Sequence, residues 1–245
     1  MPILQTRNNE DCHIANIIID SLGMSKIVIK PGTDRYLTQN IIDKNIDIIE
    51  NSSIIILDLE IPLETVAYAI DICYQRKKII ILRPSFILGE NQQLSETQKN
   101  IFEEIIKKVN YLIVNEYELY LISGQQPTNS EEEVDKTSKE FIKNHKEIKN
   151  LIVILKYRGC ILWNIDGDNK NFCSYYKRED IVDFTGAVDC FIGVFAAFLS
   201  NKYEIDEAIK YANLAVSICV KKLGVIDSFP KLDEIIKEKE NNENW

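Results

Sequence analysis

The amino-acid sequence predicts an α/β fold in which helices cover both faces of a mostly parallel central sheet. Short apolar runs alternate with helical patterns from residue 53 to residue 150, which is the order found in parallel sheets. The runs at residues 53–59 and 78–82 are almost continuously apolar, as expected of strands buried on both faces. A third observation is the segment after Gly186, where large apolar side chains recur at helical spacing.

Local signals place the ends of the elements. Thr38 can cap a helix that runs to about residue 50, and Pro62 opens another that runs to about residue 76. Ser95 and Gln98 fit a capping box, which predicts a helix from there to residue 108. Further strands are predicted at residues 16–20 and 26–29 (joined by a turn containing Gly23), 109–114, 151–155, 160–164, 171–175 and 181–183. Further helices are predicted at residues 115–123 (closed by Gly124), at 131–146, after Gly186, and from residue 205 to Gly224.

Composition excludes several classes of protein. The chain has 245 residues, of which 45 % are hydrophobic, enough for the core of one α/β domain or two small ones. Its net charge of −9, with no basic block, argues against nucleic acid and anionic membrane as partners. No apolar run reaches the ~18 residues of a membrane span, and the N-terminus lacks the apolar core of a signal peptide. No two of the six cysteines form a Cys-x-x-Cys pair and the two histidines stand far from each other, so a cytoplasmic protein without a zinc site is expected.

The most informative stretch is residues 182–193, which read Val-Asp-Phe-Thr-Gly-Ala-Val-Asp-Cys-Phe-Ile-Gly. Gly186 and Ala187 stand at the start of a predicted helix, where unpaired backbone N–H groups and the helix dipole favour a phosphate. Asp189, in the first turn, can take a proton from an attacking hydroxyl. These parts suit phosphoryl transfer to an alcohol. The residues alone leave a second interpretation open, in which the acid only favours the dipole and the small pair only allows close packing.

Other polar residues follow predicted strands, and ligands of parallel sheets bind at the carboxyl ends of the strands. Glu60 follows the strand at residues 53–59, although it is equally well explained as a helix-capping acid. Asn115 and Glu118 lie one helical turn apart, and their oxygens suit Mg²⁺, usually through water. Charged helix starts are common, so this spacing alone is a weak signal. The segment 156–159 follows a further strand.

The stretch around Asp189 resembles the signature of the ribokinase-like carbohydrate kinases, roughly Asp-Thr-Thr-Gly-Ala-Gly-Asp-Thr-Phe. The matching residues are Asp183, Thr185, Gly186, Ala187, Asp189 and Phe191, whereas Phe184, Val188 and Cys190 depart from the pattern. The similarity extends from about residue 17 to about residue 235. It implies a three-layer sandwich with a mostly parallel central sheet and a β lid. It also implies that Asp189 is the base that deprotonates the sugar hydroxyl, and that Gly186, Ala187 and Val188 hold the transferred phosphate.

The resemblance assigns further roles to other residues. Glu60 lies in a segment similar to the ribokinase branch, where the matching residue contacts the sugar, which favours ribose as the substrate. Asn115 and Glu118 match a motif that organises Mg²⁺ and phosphate. The nucleotide ATP is implied, with contacts expected from the following residues: Asn115, Lys156, Arg158, Gly159 and Asn213. A monovalent cation, typically K⁺, is implied in a loop formed by the following residues: Asp183, Thr185, Gly224 and Ser228.

The chain departs from the family in three ways. Ile154 and Lys156 replace a threonine and a glycine in the nucleotide segment, and Val188 replaces a glycine. The N-terminal strand with its substrate-binding aspartate and the Gly-Gly-Lys-Gly-Ala-Asn type motif have no counterpart. We therefore expect a single domain over residues 1–235 that lacks the N-terminal strands, with residues 15–30 as a partial β lid, and a charged tail at 236–245.

Three explanations stay open for this departure: a truncated gene model, a partner that fills the gap, or a degenerate homologue. The alternative function is a catalytically impaired, nucleotide-binding or scaffold subunit. Lost strands would leave a sheet edge and apolar surface uncovered near residues 1–60. We therefore expect a homo-oligomer or a partner at that face.

Overall fold

The structure is a computed structural model that describes residues 11–12, 14–19, 25–30, 32–85, 95–125 and 131–242. Within these ranges, six strands form a central sheet in the order β3-β4-β5-β6-β7-β8. A separate antiparallel ribbon pairs β1 (Ile14–Ile19) with β2 (Ser25–Lys30). The strands of the central sheet are β3 (Ile54–Asp58), β4 (Ile79–Arg83), β5 (Tyr111–Asn115), β6 (Asn150–Ile154), β7 (Cys160–Asn164) and β8 (Asn169–Phe172). The predicted turn containing Gly23 lies outside the described residues.

The sheet is mostly parallel, as predicted. Strands β3 to β6 pair in parallel, and β7 and β8 are added as antiparallel strands. The carboxyl ends of the four parallel strands therefore meet at one edge of the sheet, which is where ligands bind in such folds. The helices are α1 (Gln39–Lys44), α2 (Ile46–Asn51), α3 (Leu63–Gln75), α4 (Glu96–Ile106), α5 (Glu116–Ile122), α6 (Glu131–Asn144), α7 (Ala187–Ser200), α8 (Ile205–Cys219) and α9 (Leu232–Glu240).

Alternation along the strands divides the core between two faces of the sheet. Ile81 and Ile113 point to the face covered by α7 and α8, while Leu82 and Leu112 point to the face covered by α3 to α6. Successive residues of a strand face opposite sides, so a strand that is apolar throughout serves both layers. The result is three layers, with the sheet between two sets of helices, and the predicted α/β architecture is confirmed.

Several predicted elements differ in the structure. The helix expected to begin after Thr38 is divided into α1 and α2 at Asn45, whose backbone leaves the helical region and whose side-chain amide donates to the carbonyl of Ile41 at 2.7 Å. Strand β3 is parallel, as expected, but it is not fully buried. Within the described residues it pairs only with β4, and the side chain of Ile56 is 47 % exposed.

The segment before α7 is not a strand, contrary to the prediction for residues 181–183. The N–H groups of Val182 and Asp183 instead donate to the carbonyl of Val220, at 2.8 and 3.2 Å. Because that carbonyl follows the last turn of α8, the segment is fixed to a helix end and joins no sheet. Helix α8 itself ends at Cys219, before the expected Gly224, and α9 extends to Glu240 into the expected tail.

None of the helices in the described ranges is long and apolar enough to cross a membrane. Four of the cysteines are buried in the core, where they pack as small apolar side chains. They are Cys73, Cys160, Cys190 and Cys219. Burial raises the pKa of the Cys160 thiol to about 12.

Candidate active site

The start of α7 lies in a loop whose backbone is set by one glycine. Gly186 is the N-cap residue and has φ of +80°, a left-handed conformation that glycine adopts without steric cost. A Cβ atom at this position would lie 2.6 Å from Cγ1 of Val225 and 3.2 Å from Cε1 of Phe229. The glycine is thus required both by its dihedral angle and by the close approach of the loop that follows α8.

Backbone N–H groups at this helix start are available to an anion. The N–H of Ala187 donates to the carbonyl of Phe184 at 3.2 Å, so it closes a turn. The N–H groups of Gly186, Val188 and Asp189 have no acceptor within the described part of the chain. Two of the three groups expected to hold the phosphate, those of Gly186 and Val188, are therefore unpaired, the N–H of Asp189 adds a further unpaired group, and the helix dipole adds partial positive charge. The substitution of valine at position 188 keeps its N–H group.

The carboxylate of Asp189 lies in the first turn of α7, and its side chain is 57 % exposed. Its Oδ1 accepts a hydrogen bond of 2.7 Å from Nη1 of Arg83, the last residue of β4. The sequence analysis did not identify Arg83, because its partner lies 106 positions further along the chain. The available signal was a charged residue directly after the apolar run at 78–82, at the carboxyl end of a predicted parallel strand.

Asn115 and Glu118 form a reciprocal capping box at the start of α5. The side-chain carbonyl of Asn115 accepts from the N–H of Glu118, and Oε2 of Glu118 accepts from the N–H of Asn115, both at 2.8 Å. Oε1 of Glu118 lies 3.5 Å from Nε of Arg83. Burial raises the pKa of Glu118, and the hydrogen bond from Asn115 and the Arg83 charge oppose this effect.

The capping box limits how these two residues can serve Mg²⁺. Each has a side-chain oxygen bound to a backbone N–H, and the other oxygen of Glu118 faces a guanidinium. Among the described residues, no group of three or more histidine, cysteine, aspartate or glutamate side chains could hold a metal ion. The pair does not fit a direct metal site. It fits only a hydrated cation that is also bound by phosphate.

Asp183 joins the loop before α7 to the loop after α8. Its Oδ1 accepts from the N–H of Thr185 at 2.9 Å, and its Oδ2 accepts from the N–H of Gly224 at 3.1 Å. These hydrogen bonds, that of Thr185 first, lower the pKa of Asp183. Three of the four residues predicted for a monovalent cation are thus brought together. The hydroxyl of the fourth, Ser228, instead donates to the carbonyl of Val225 at 2.6 Å.

The predicted nucleotide residues after β6 form a tight turn. Lys156 has φ of +52°, a conformation that suits a glycine, and it is exposed. Gly159 has φ of +95°, and a Cβ atom there would lie 1.9 Å from the carbonyl oxygen of Phe172. The guanidinium of Arg158 is bound to the carboxylate of Glu116 at the start of α5. Arg158 is therefore anchored beside the capping box, while the Lys156 ammonium is exposed to solvent.

Two predicted contacts lie apart from these loops. Asn213 is buried in α8, and its amide donates to Sγ of Cys160 at 3.6 Å, so its polar group is directed into the core. Glu60 is exposed in the bend after β3, and its N–H donates to Oδ1 of Asp58 at 3.0 Å. Glu60 remains at the carboxyl edge of the sheet, as the sequence predicted.

Comparison with known proteins assigns this fold to the carbohydrate kinases. A sequence model of the pfkB family of carbohydrate kinases matches residues 4–232, and the chain belongs to this family of phosphotransferases. The chain is 28 % identical over 233 residues to the ribokinase of Dictyostelium discoideum and 25 % identical over 221 residues to the deoxyribokinase of Salmonella typhi. In both comparisons the match covers 90 % of this chain, and it covers 70 % and 67 % of the relatives.

Solved structures of ribokinases share the fold. The crystal structure of ribokinase from Thermotoga maritima has a TM-score of 0.75 and 31 % identity, covering 96 % of this chain and 72 % of that one. The structure of Arabidopsis thaliana ribokinase complexed with ribose and ATP has a TM-score of 0.79 and 25 % identity, covering 94 % and 70 %. The predicted resemblance to ribokinase-like kinases and the predicted fold are both confirmed.

Proposed function

We propose that the chain transfers the γ-phosphate of ATP to a primary hydroxyl of a pentose, with ribose as the substrate. The observation that carries this proposal is the start of α7, where Asp189 stands beside N–H groups that lack an acceptor in the described residues. Relatives of this chain include a ribokinase and a deoxyribokinase, so the family supports a pentose, and the segment at Glu60 favours ribose.

In the proposed reaction Asp189 accepts the proton of the sugar hydroxyl. The hydroxyl oxygen forms a bond to the γ-phosphorus, the bond between that phosphorus and the oxygen bridging to the β-phosphate breaks, and ADP leaves. The N–H groups of Gly186 and Val188 donate to the phosphoryl oxygens, where negative charge develops. Mg²⁺, when bound, would neutralise charge on the phosphates, and Asn115 and Glu118 are the residues that would hold it through water. We also propose that a monovalent cation binds at Asp183 and Gly224, where it takes no part in the bond changes described above.

The test of the base is Asp189→Asn. We expect turnover to fall by ~10²–10⁴ because an amide cannot accept the proton. Ribose-dependent ADP release measures this loss, and thermal unfolding checks that the fold is kept. Asp206→Asn is the matched control, since Asp206 also lies in the first turn of a helix, α8, and pairs with Lys170 away from the site. Wild-type turnover in Asp189→Asn would show that Asp189 is not the base.

We propose that ATP binds weakly, with a dissociation constant on the order of 0.1–1 mM, or ~4–5.5 kcal/mol. The two loops expected to contact the nucleotide, at residues 156–159 and at the start of α7, lie within the described residues. Binding is expected to be weak because Lys156 and Val188 replace glycines of the family pattern and crowd the phosphates. Titration calorimetry with a non-hydrolysable ATP analogue measures the affinity. The heat should vanish in Gly186→Val, because the added side chain meets Val225 and Phe229. No heat with millimolar analogue would contradict binding.

A non-catalytic, nucleotide-binding or scaffold role is the second candidate. One observation favours it: the carboxylate of Asp189 is bound to Arg83 and Glu118 is held in a capping box. This role predicts no sugar-dependent ATP consumption and a stable complex with another chain. Phosphorylation of ribose by the purified chain alone would exclude it.

We also propose that the chain self-associates through the outer edge of β3 and through the β1–β2 ribbon. Ile14, Ile18, Val28 and Ile56 are exposed there, and β3 has one unpaired edge among the described residues. Unpaired edges and apolar patches are normally covered. Sedimentation of the purified chain at ~100 µM, a concentration above the dissociation constant of a dimer of micromolar affinity, should show a dimer or larger species. A strictly monomeric profile without binding of an apolar dye would contradict this.

A further inference from the structure

Arg83 is a charged side chain in contact with Asp189 to which neither the sequence analysis nor the proposed reaction assigns a role. It ends β4, which lies between β3 and β5 in the sheet, so its side chain starts from the carboxyl edge where ligands bind. The side chain is 21 % exposed, less than half as exposed as that of Asp189. Partial burial of a guanidinium is costly unless the charge is paired or hydrogen-bonded, so the partners of Arg83 need to be identified.

The contacts of Arg83 use few of its hydrogen-bond donors. A guanidinium carries five N–H donors. Nη1 donates to Oδ1 of Asp189 at 2.7 Å. Nε lies 3.5 Å from Oε1 of Glu118, beyond the usual length of a hydrogen bond, and it is buried without a hydrogen-bond partner in the described residues. The arginine is therefore attracted by two carboxylates but is bonded well to only one.

This arrangement affects the proposed base directly. One oxygen of Asp189 is occupied by the guanidinium and cannot accept a proton from a hydroxyl while the pair persists. The N–H of Asp189 belongs to the anion seat at the start of α7. A phosphoryl group in that seat would lie beside the residue that Arg83 contacts, and the guanidinium fork matches phosphate oxygens better than a single carboxylate oxygen.

We propose that Arg83 binds the terminal phosphate of the nucleoside triphosphate and, in doing so, exchanges Asp189 for the phosphate. This proposal rests on the proposed function and adds one residue to it. The exchange makes the base available only when the phosphoryl donor is in place. Glu118 stays behind the guanidinium as a second, buried negative charge and keeps the side chain at the edge of the sheet.

The test compares nucleotides with and without the terminal phosphate. Titration calorimetry in Mg²⁺ measures the affinity of Arg83→Met for a non-hydrolysable ATP analogue and for ADP. We expect the analogue to bind about tenfold more weakly, the size of one charge-assisted hydrogen bond, and ADP to change less than about twofold. Arg83→Lys should recover part of the loss. Arg76→Met is the matched control, because Arg76 pairs with Glu50 outside the site, and it should change neither affinity.

A reciprocal experiment uses Asp189→Asn. In a chain that keeps Arg83, this substitution should tighten binding of the analogue several-fold. The Asp189 carboxylate would no longer hold the guanidinium, and a negative charge beside the phosphate would be lost. The gain should be much smaller in the Arg83→Met background. If Arg83→Met does not fold because Glu118 loses its partner, Arg83→Gln and Arg83→Lys carry the same comparison.

The outcomes separate this inference from the proposed function. Equal losses for the analogue and ADP, or no loss for either, would overturn the role of Arg83 even in an active kinase. A selective loss for the analogue would support it even if ribose is not phosphorylated. If neither nucleotide binds to the wild-type chain at millimolar concentration, both the inference and the proposed function are wrong.

Discussion

Replacement of Gly186 by alanine tests the structural basis of the helix start. The residue has φ of +80°, where a side chain costs about 1–2 kcal/mol relative to glycine. The added Cβ would lie 2.6 Å from Cγ1 of Val225, which must move, but Val225 is on a partly exposed loop and can move at low cost. We therefore expect the free energy of unfolding to fall by about 2 kcal/mol, which corresponds to a decrease of about 4–8 °C in Tm.

The control is another glycine of the same helix. Gly193 lies in the middle of α7 with no atom within 4 Å of a Cβ built on it. Because alanine is favoured over glycine in a helix, Gly193→Ala should stabilise the chain by about 0.5–1 kcal/mol. Denaturant unfolding followed by circular dichroism measures both variants. Equal stability of Gly186→Ala and wild type, or destabilisation by both substitutions, would refute the reasoning.

Three further predictions concern stability and reactivity. Gly159→Ala should destabilise the chain by more than about 3 kcal/mol, because its Cβ would overlap the carbonyl of Phe172, whereas Gly167→Ala, with similar φ and open space, should cost about 1 kcal/mol in the same unfolding assay. The pKa of Asp183 is lowered in the folded chain, so the ionised carboxylate contributes to stability above its ordinary pKa of 3.8, and this contribution is lost as pH falls through the lower pKa of the folded chain. The free energy of unfolding of wild type should therefore exceed that of Asp183→Asn at pH 6, and the difference should disappear in acid; a difference that does not change with pH would contradict this. A thiol reagent should modify the exposed cysteines of the native chain first, and rapid reaction of all six would contradict the described core; the exposed residues are Cys12 and Cys173.

Elements with strong local signals could be predicted from the sequence. Ser95 carries its capping partner three positions along, and the predicted capping box is present in the structure. The helix after Gly186 was likewise predicted from apolar spacing, together with the place of Asp189 in its first turn. In each case the interactions that fix the feature lie within one or two helical turns, where sequence spacing describes space directly.

Features that depend on distant partners could not be predicted in this way. The pair of Arg83 and Asp189 joins a strand end to a helix start 106 positions away, and no local pattern encodes that approach. Residues 181–183 suggest a strand by their sequence, but within the described ranges they join no sheet, and the carbonyl of Val220 accepts the N–H groups of Val182 and Asp183. The interruption at Asn45 arises from competition between its side-chain amide and the helical backbone, which apolar periodicity does not register.

The attachment of Val182 and Asp183 to the carbonyl of Val220 has a consequence for motion. Val220 is fully buried at the end of α8, so the irregular loop before α7 opens only when that helix end opens. We expect the amide protons of this loop to exchange with solvent as slowly as those of the surrounding helices, although the loop has no regular structure. The helix start then behaves as a fixed platform, and any closing movement around bound substrate must come from other segments of the chain.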